Sequence, residues 1–165
     1  METSTKPEDR QKVWELIQEV KVAMLVTQDG QHNLSARPMV GQQDSFDGTL
    51  WFFTWANSPK TAELQTSNKV LLAYSHPAKQ DYVSVQGHAR IVRDQNKIKE
   101  LWAEPMRTWF PKGPDDPNIA LIAVDVDSAE YWDSPSSTMV HAYGYVKAVL
   151  TGEPPHPGDN KQVNF

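Results

Sequence analysis

The sequence predicts a mainly β protein, an antiparallel barrel of about six strands with peripheral helices, and three observations predict it. Residues Tyr82–Arg93 alternate, with Val83, Val85, Gly87, Ala89 and Ile91 on one side and Tyr82, Ser84, Gln86, His88 and Arg90 on the other. A period of two over that length is the signature of a half-buried strand. Leu50–Trp55 is a dense aromatic run, which suits a buried strand better than a helix. Finally, Asp29-Gly30 is a turn signal between two β-rich runs, Met24–Thr27 and Leu34–Val40.

Taken in order, the chain opens with a helix. Thr5 is read as its N-cap, Glu8 as the other half of a capping box and Pro7 as a first-turn residue, with Val13, Trp14, Leu16, Ile17 and Val20 on one face. The hairpin and the aromatic strand follow. Ser58-Pro59-Lys60 then starts a short helix, Ser58 suiting the N-cap and Pro59 the first helical position. Val70–Tyr74 is a further strand, and the alternating Tyr82–Arg93 strand comes next. Asp94 caps a helix carrying Ile98, Leu101 and Trp102, and a Pro/Gly/Asp loop spans Pro111–Pro117. The last strand runs Ile119–Val126 and resumes through Tyr131-Trp132, with a short helix expected over Val146–Leu150. Hairpins in place of regular β-α-β alternation argue against a doubly wound sheet. One domain is expected over residues 1–150, and the Pro/Gly/Asn-rich stretch 151–165 reads as a mobile tail.

Composition narrows the function. A chain of 165 residues can bury one core unaided, and it has no cysteine for disulfides, thiolate metal sites or a thiol nucleophile. With 16 basic against 21 acidic side chains the net charge is -5, which disfavours a nucleic-acid partner. No run has the length of a membrane span or a signal peptide core, so a cytoplasmic protein is expected. The five histidines lack zinc-helix spacing, and the sequence has no Gly-x-Ser-x-Gly elbow, Walker loop or Gly-x-Gly-x-x-Gly fingerprint.

Three features could build a pocket for a phosphorylated planar ligand: Ser35-Ala36-Arg37-Pro38-Met39, Phe53-Thr54 and Ser58-Pro59-Lys60. A phosphate needs converging donors, and Arg37 offers a fork, Lys60 a point charge, Thr54 and Ser58 hydroxyls, and the helix start its free N–H groups. Each also has an ordinary reading: a solvated strand arginine, a surface lysine, a simple helix cap, an aromatic core.

The ordered set adds information. Together with Gly48–Thr54, Asn68-Lys69-Val70, Tyr82–Ala89, Trp109–Gly113 and Ala129–Asp133, these segments resemble the pyridoxamine 5'-phosphate oxidase-like, FMN-binding split barrels, in their bacterial general stress protein branch. The resemblance spans about Val13 to Trp132. It implies a six-stranded antiparallel split β-barrel with FMN at a homodimer interface. By the same resemblance, Arg37, Pro38 and Met39 line the flavin, Phe53 and Thr54 lie beside ring and ribityl chain, and Ser58 and Lys60 grip the phosphate. Trp132 would approach from the second subunit, with Tyr82 or Ser84 and Trp109 nearby.

Two departures limit what the resemblance implies. Ser134–Thr138 lacks the arginines and histidine that the true oxidases carry after the tryptophan, which argues against pyridoxamine phosphate oxidation. Pro59 stands where many oxidases have a basic residue. The alternatives are FAD or deazaflavin F420 as cofactor, hence an F420-dependent reductase, although little concentrated charge is present for a polyglutamate tail. A non-catalytic flavin-holding stress or sensor module is the other alternative to an FMN-dependent oxidoreductase, because no general acid or base stands out.

Overall fold

A computed structural model describes residues 2–133, 145, 147–152 and 158–165. In chain order the elements are strand β1 (Glu2–Ser4), helix α1 (Pro7–Val20), strands β2 (Val22–Gln28), β3 (Leu34–Val40) and β4 (Thr49–Trp55), helix α2 (Pro59–Thr66), strands β5 (Lys69–His76) and β6 (Asp81–Val92), helix α3 (Gln95–Leu101), a 3-10 turn (Glu104–Thr108), and strands β7 (Ile119–Asp133) and β8 (Asp159–Asn164).

The strand order is β1-β8-β7-β6-β5-β2-β3, with β4 also paired to β7. An isolated bridge from Gly41 to Phe52 brings the far edge of β3 onto β4, so β2 to β7 close into a six-stranded barrel. Every pairing inside that barrel is antiparallel. The mainly β split barrel expected from the sequence is therefore the fold observed.

Closure depends on β7. Its first half pairs with β4 through Ile119–Asp125, its second half with β8 through Ser128–Asp133, and both halves pair with β6. The switch occurs where the β6–β7 register slips: Gln86 faces Ser128 but Gly87 faces Val126, leaving Asp127 as the extra residue of a bulge. The two strands approach closely there, and a Cβ on Gly87 would lie 2.4 Å from the Asp125 carbonyl oxygen.

Strand alternation divides the apolar residues between two cores. Leu25, Leu72, Val85, Phe52, Ile122 and Val124 fill the barrel, with α1 packed alongside through Val13, Leu16 and Ile17. Each such side chain contributes about 1.5–3 kcal/mol by leaving water. Phe53, next to Phe52, points the other way into a smaller core with Ile98, Met106, Phe110, Ile119 and Leu121.

Several local expectations change. Glu2–Ser4 is a strand, so α1 begins after Lys6 with no side-chain cap instead of at a Thr5 cap, and the Ser4 hydroxyl donates to Asp9 at 2.5 Å. The Asp29-Gly30 signal forms a longer loop in which the Asp29 carboxylate accepts from the Gln31 and Asn33 amides, and His32, not Gly30, takes the left-handed conformation. The last strand does not pause after Val126 but continues to Asp133. Residues 159–164 are not a loose tail, because β8 pairs with both β7 and β1 and buries Val163 completely. Residues 147–151 are helical, while Val146 of the expected terminal helix lies outside the described residues.

The Gly87 approach yields a first prediction. Gly87→Ala should push β6 off β7 and cost about 1–3 kcal/mol as overpacking against an unyielding carbonyl, read as a lowered urea midpoint at unchanged slope. An unaltered midpoint would show that the strands part at no cost.

Candidate functional site: a cationic cradle at one end of the barrel

Helix α2 covers the end of the barrel at which β2 and β4 finish. Leu64 anchors it in the barrel core, and Ser58 caps it by accepting the Thr61 amide at 3.4 Å. The Ser58 hydroxyl is also 2.8 Å from the Thr61 hydroxyl and 3.4 Å from that of Thr54, which is buried at the end of β4. The Thr61 hydroxyl donates to the Trp55 carbonyl at 3.2 Å. Three hydroxyls thus cluster at the first turn of α2, where backbone N–H groups have no helical acceptor.

Arg37 reaches the same end from β3. It stands opposite Leu25 in the β2–β3 register, so its side chain leaves the inner face of the sheet. One nitrogen of its fork donates to Glu63 of α2 at 2.8 Å, and the other donates to the Thr27 hydroxyl and, at 3.5 Å, to the Leu25 carbonyl. Thr27 is buried and donates in turn to the Glu63 carboxylate. Arg37 and Glu63 are only 22% and 17% exposed, so solvent screens this pair little. The Thr27 hydroxyl first, and Arg37 after it, hold the Glu63 carboxyl below the usual carboxylate range.

Lys60 completes the cluster one residue inside α2. Burial, and after it the nearby Arg37 guanidinium, depress its pKa below 10.5, against the opposing pull of Glu63. Its ammonium makes no salt bridge among the described residues. Two part-buried cations therefore face one carboxylate, and Arg37 already pairs with it. Such a place favours an incoming anion.

The structure thus pairs the hydroxyls of Thr54 and Ser58 and sets Lys60 within electrostatic reach of Arg37. It does not bring every expected side chain there. Met39 follows Arg37 on the same inward face, and its side chain is buried in the barrel core. The Phe53 ring packs in the second core 5.9 Å from Trp102 and 6.0 Å from Phe110, leaving its backbone, not its ring, beside Thr54. Pro38 lies on the exposed outer face of β3. Tyr82 is the register partner of Trp132 on the outer face of β6 and β7, and Ser84 follows two residues along. Ile119 at the start of β7 pairs with Trp55 at the α2 end of the barrel, whereas Trp132 lies near the other end of that fifteen-residue strand, so in one chain Trp132 stands well apart from Arg37. Trp109 is 68% exposed on the loop after the 3-10 turn.

Two participants were not singled out from the sequence: Glu63, the partner of Arg37, and Thr27, which links them. The spacing of Lys60 and Glu63, three apart and hence on one side of α2, was the available signal. A cleft of about 460 Å³ lies between α1, Phe46 and Phe165 and contains none of these groups. His76 lies 3.7 Å from Glu19 and His88 2.7 Å from Asp127, so both are surface partners of carboxylates. Among the described residues no cluster of His, Asp and Glu could hold a metal ion, and no helix is long and apolar enough to cross a membrane. His141, His156 and the Ser134–Thr138 departure lie outside the described residues.

Comparison with known proteins gives this geometry its context. Residues 8–156 match the family described as pyridoxamine 5'-phosphate oxidase like. The chain belongs to that family. Among solved members of the fold, a putative general stress protein 26 from Jannaschia sp. superposes with a TM-score of 0.76 at 24% identity, covering 97% of this chain and all of that one. The general stress FMN/FAD binding protein of Xanthomonas citri superposes with a TM-score of 0.70 at 31% identity, covering 80% of this chain and 93% of that one. Protein bli-3 of Neurospora crassa is 26% identical over 144 residues, which is 81% of this chain and 69% of that protein. Within the pyridoxamine 5'-phosphate oxidase like family, this chain sits with the general stress proteins.

The Glu63 carboxylate generates a second prediction. Its pKa is lower folded than unfolded, so its share of stability is in place above pH ~4.5 and is lost as pH falls through the lowered folded value. Glu63→Gln should remove that part of the acid transition and cost about 1–3 kcal/mol at neutral pH by leaving Arg37 without its charged acceptor. Denaturation midpoints of both proteins from pH 7 to pH 3 measure it, and parallel curves would refute it.

Proposed function

We propose that this protein is an FMN-binding homodimer of general stress type, each flavin phosphate being held by Lys60, Ser58 and Thr54 at the start of α2. One observation carries the reading: Lys60 is a half-buried cation crowded by Arg37 that makes no salt bridge among the described residues. A phosphate monoester near neutral pH carries close to two negative charges. It would relieve that crowding and take the hydroxyl and backbone donors of the first turn of α2. Arg37, fixed by Glu63 and Thr27, would position the field without surrendering its carboxylate. The donor set present therefore fits the group.

FMN supplies redox chemistry, and this chain's part is to bind, orient and shield it. Backbone beside Thr54 and the edge of β3 at Pro38 would line the ring, since the Phe53 and Met39 side chains face the cores. The names of the similar proteins, an FMN/FAD binding protein among them, support a flavin in this cradle. An FMN-dependent oxidoreductase is the activity this arrangement suits, with the substrate set by whatever else closes over the ring.

The second subunit enters through the outer face of the sheet. Val22, Met24, Val40 and Tyr82 are 40–42% exposed and Leu34 71%, an apolar surface on β2, β3 and β6 that a lone domain would leave in water. Val22 and Val40 face each other in register, and Met24 faces both Pro38 and Ala73. A second copy would cover this surface and bring its own Trp132, Tyr82 and Ser84 towards the cradle.

Two predictions test the reading. Lys60→Ala should weaken FMN at least tenfold and riboflavin little, since only FMN has the phosphate, and wild-type FMN affinity should fall as pH rises through the depressed Lys60 pKa. Fluorescence titration of the flavin-free protein measures both effects, and equal losses for the two flavins would refute the role of Lys60. Separately, Met24→Glu should yield monomers in sedimentation with unchanged circular dichroism and with FMN released. A monomer that keeps FMN, or a dimer that ignores the new charge, would remove the shared site.

A further inference from the structure

The cleft between α1, Phe46 and Phe165 measures about 460 Å³ and shares no residue with the phosphate cradle. We infer that it is a binding site for a small aromatic carboxylate, whose flat ring system lies against Phe46 and Phe165 and whose carboxylate meets Arg10. The inference stands apart from the flavin reading, because it uses neither α2 nor any residue assigned to the flavin.

Charge is the first argument. Arg10, near the start of α1, is half-buried and held from two sides: its Nε donates to the Asn164 carbonyl at 3.0 Å, and its guanidinium carbon stands 5.3 Å from the centre of the Phe165 ring. It makes no salt bridge among the described residues, and none of them accepts from its two Nη nitrogens. A fixed fork with both terminal nitrogens open is the geometry that pairs bidentately with a carboxylate. Arg10 is the only cation in the lining. The one carboxylate there, Asp47, is turned to its own loop, where it accepts the Thr49 amide at 3.3 Å.

Shape is the second argument. Trp14 and Phe46 stack with centroids 5.6 Å apart and planes 18° from parallel, while Phe165 meets Phe46 edge-on at 5.4 Å with planes 80° apart. Two aromatic walls at nearly a right angle make a corner in which a flat ring can stack on one and turn its edge to the other. Phe46 and Phe165 are both only partly buried, so ring surface remains to be covered. At Gly48 the wall carries no side chain, and a Cβ there would meet nothing within 4 Å. The walls are also fixed. Gln18 donates to the Asp44 carbonyl at 3.2 Å, Gln43 to the Ser45 and Thr49 carbonyls at 2.9 Å, and the Phe165 amide to the Asp127 carbonyl at 3.1 Å. A corner held in this way is formed before a ligand arrives, which lowers the ordering cost of binding. An apolar body with one placed charge, in a volume of this order, is the usual form of a small-molecule site.

The purified full-length protein is titrated with 2-naphthoate and with its neutral isostere naphthalene-2-carboxamide, as wild type, Arg10→Gln and Arg10→Lys. Calorimetry gives the affinities, and amide chemical shifts give the place. The naphthoate should bind wild type with Kd below about 1 mM, shifting the amides of Trp14, Phe46 and Gly48, and the carboxamide should bind about tenfold more weakly. Arg10→Gln should remove that difference by weakening the naphthoate alone. Arg10→Lys, which keeps the charge but not the fork, should fall between. An unchanged carboxamide affinity in both variants reports that the aromatic corner has not collapsed. Equal wild-type affinities for the two probes, or an Arg10→Gln protein that loses both, would overturn the assignment. So would the absence of saturable binding, or shifts confined to Ser58 and Thr61 at the cradle, and none of these results would touch the flavin reading.

Discussion

The close approach of β6 to β7 at Gly87 is the constraint on which the rest of the molecule depends. A strand of fifteen residues cannot pair along its whole length with the same neighbours in a closed barrel, because sheet twist carries its ends apart. The bulge at Asp127 absorbs the misfit, letting the first half of β7 hold β4 in the barrel and the second half leave with β8. Only a residue without a side chain tolerates a carbonyl oxygen at that distance. Both halves of the candidate site inherit their positions from this division. Thr54 is carried by β4 against the near half of β7, and Trp132 stands on the far half, paired with Tyr82.

Two cations of different chemistry meet at the cradle, and their difference explains their arrangement. Arg37 is a planar fork whose directions are used by Glu63, Thr27 and the Leu25 carbonyl. It is therefore held in place and cannot swing out to water. Lys60 is a point charge on a flexible stem, so it can follow a ligand without breaking a network. Burial works against its charge, and Arg37 works against it further. On the proposed reading, the protein bears the cost of crowding in the free state, and a bound phosphate would recover that cost.

Most of the fold was legible because its signals are local. Ser58-Pro59 announced the start of α2, the alternation of Tyr82–Arg93 announced β6, and Asp94 does cap α3 by accepting the Asn96 and Lys97 amides. What stayed hidden depends on distant partners. Asp159–Asn164 is polar apart from Val163, and it becomes a strand only because β1 and β7 leave edges for it. Glu63 lies 26 residues from Arg37, and no short-range pattern links them. The family resemblance implied that Met39 and Phe53 line the flavin, whereas strand parity sends both side chains into cores. The sequence pattern thus located the segments of the site more faithfully than the directions of their side chains, which the pleat of each strand decides.

Net charge and local charge pull in opposite directions here. The chain carries -5 overall, so a phosphorylated ligand approaches against a mildly repulsive field. At physiological ionic strength that field decays over about 8 Å, whereas a partly dry recess screens its own charges far less. Lys60, the Ser58 and Thr54 hydroxyls and the start of α2 act inside that distance, so the near field outweighs the far one. A broad basic surface would attract any polyanion, while on the proposed reading a single part-buried cation beside a fixed guanidinium would suit a terminal phosphate. On that reading, selectivity for a small mononucleotide over nucleic acid would follow from where the positive charge is buried, not from how much of it there is.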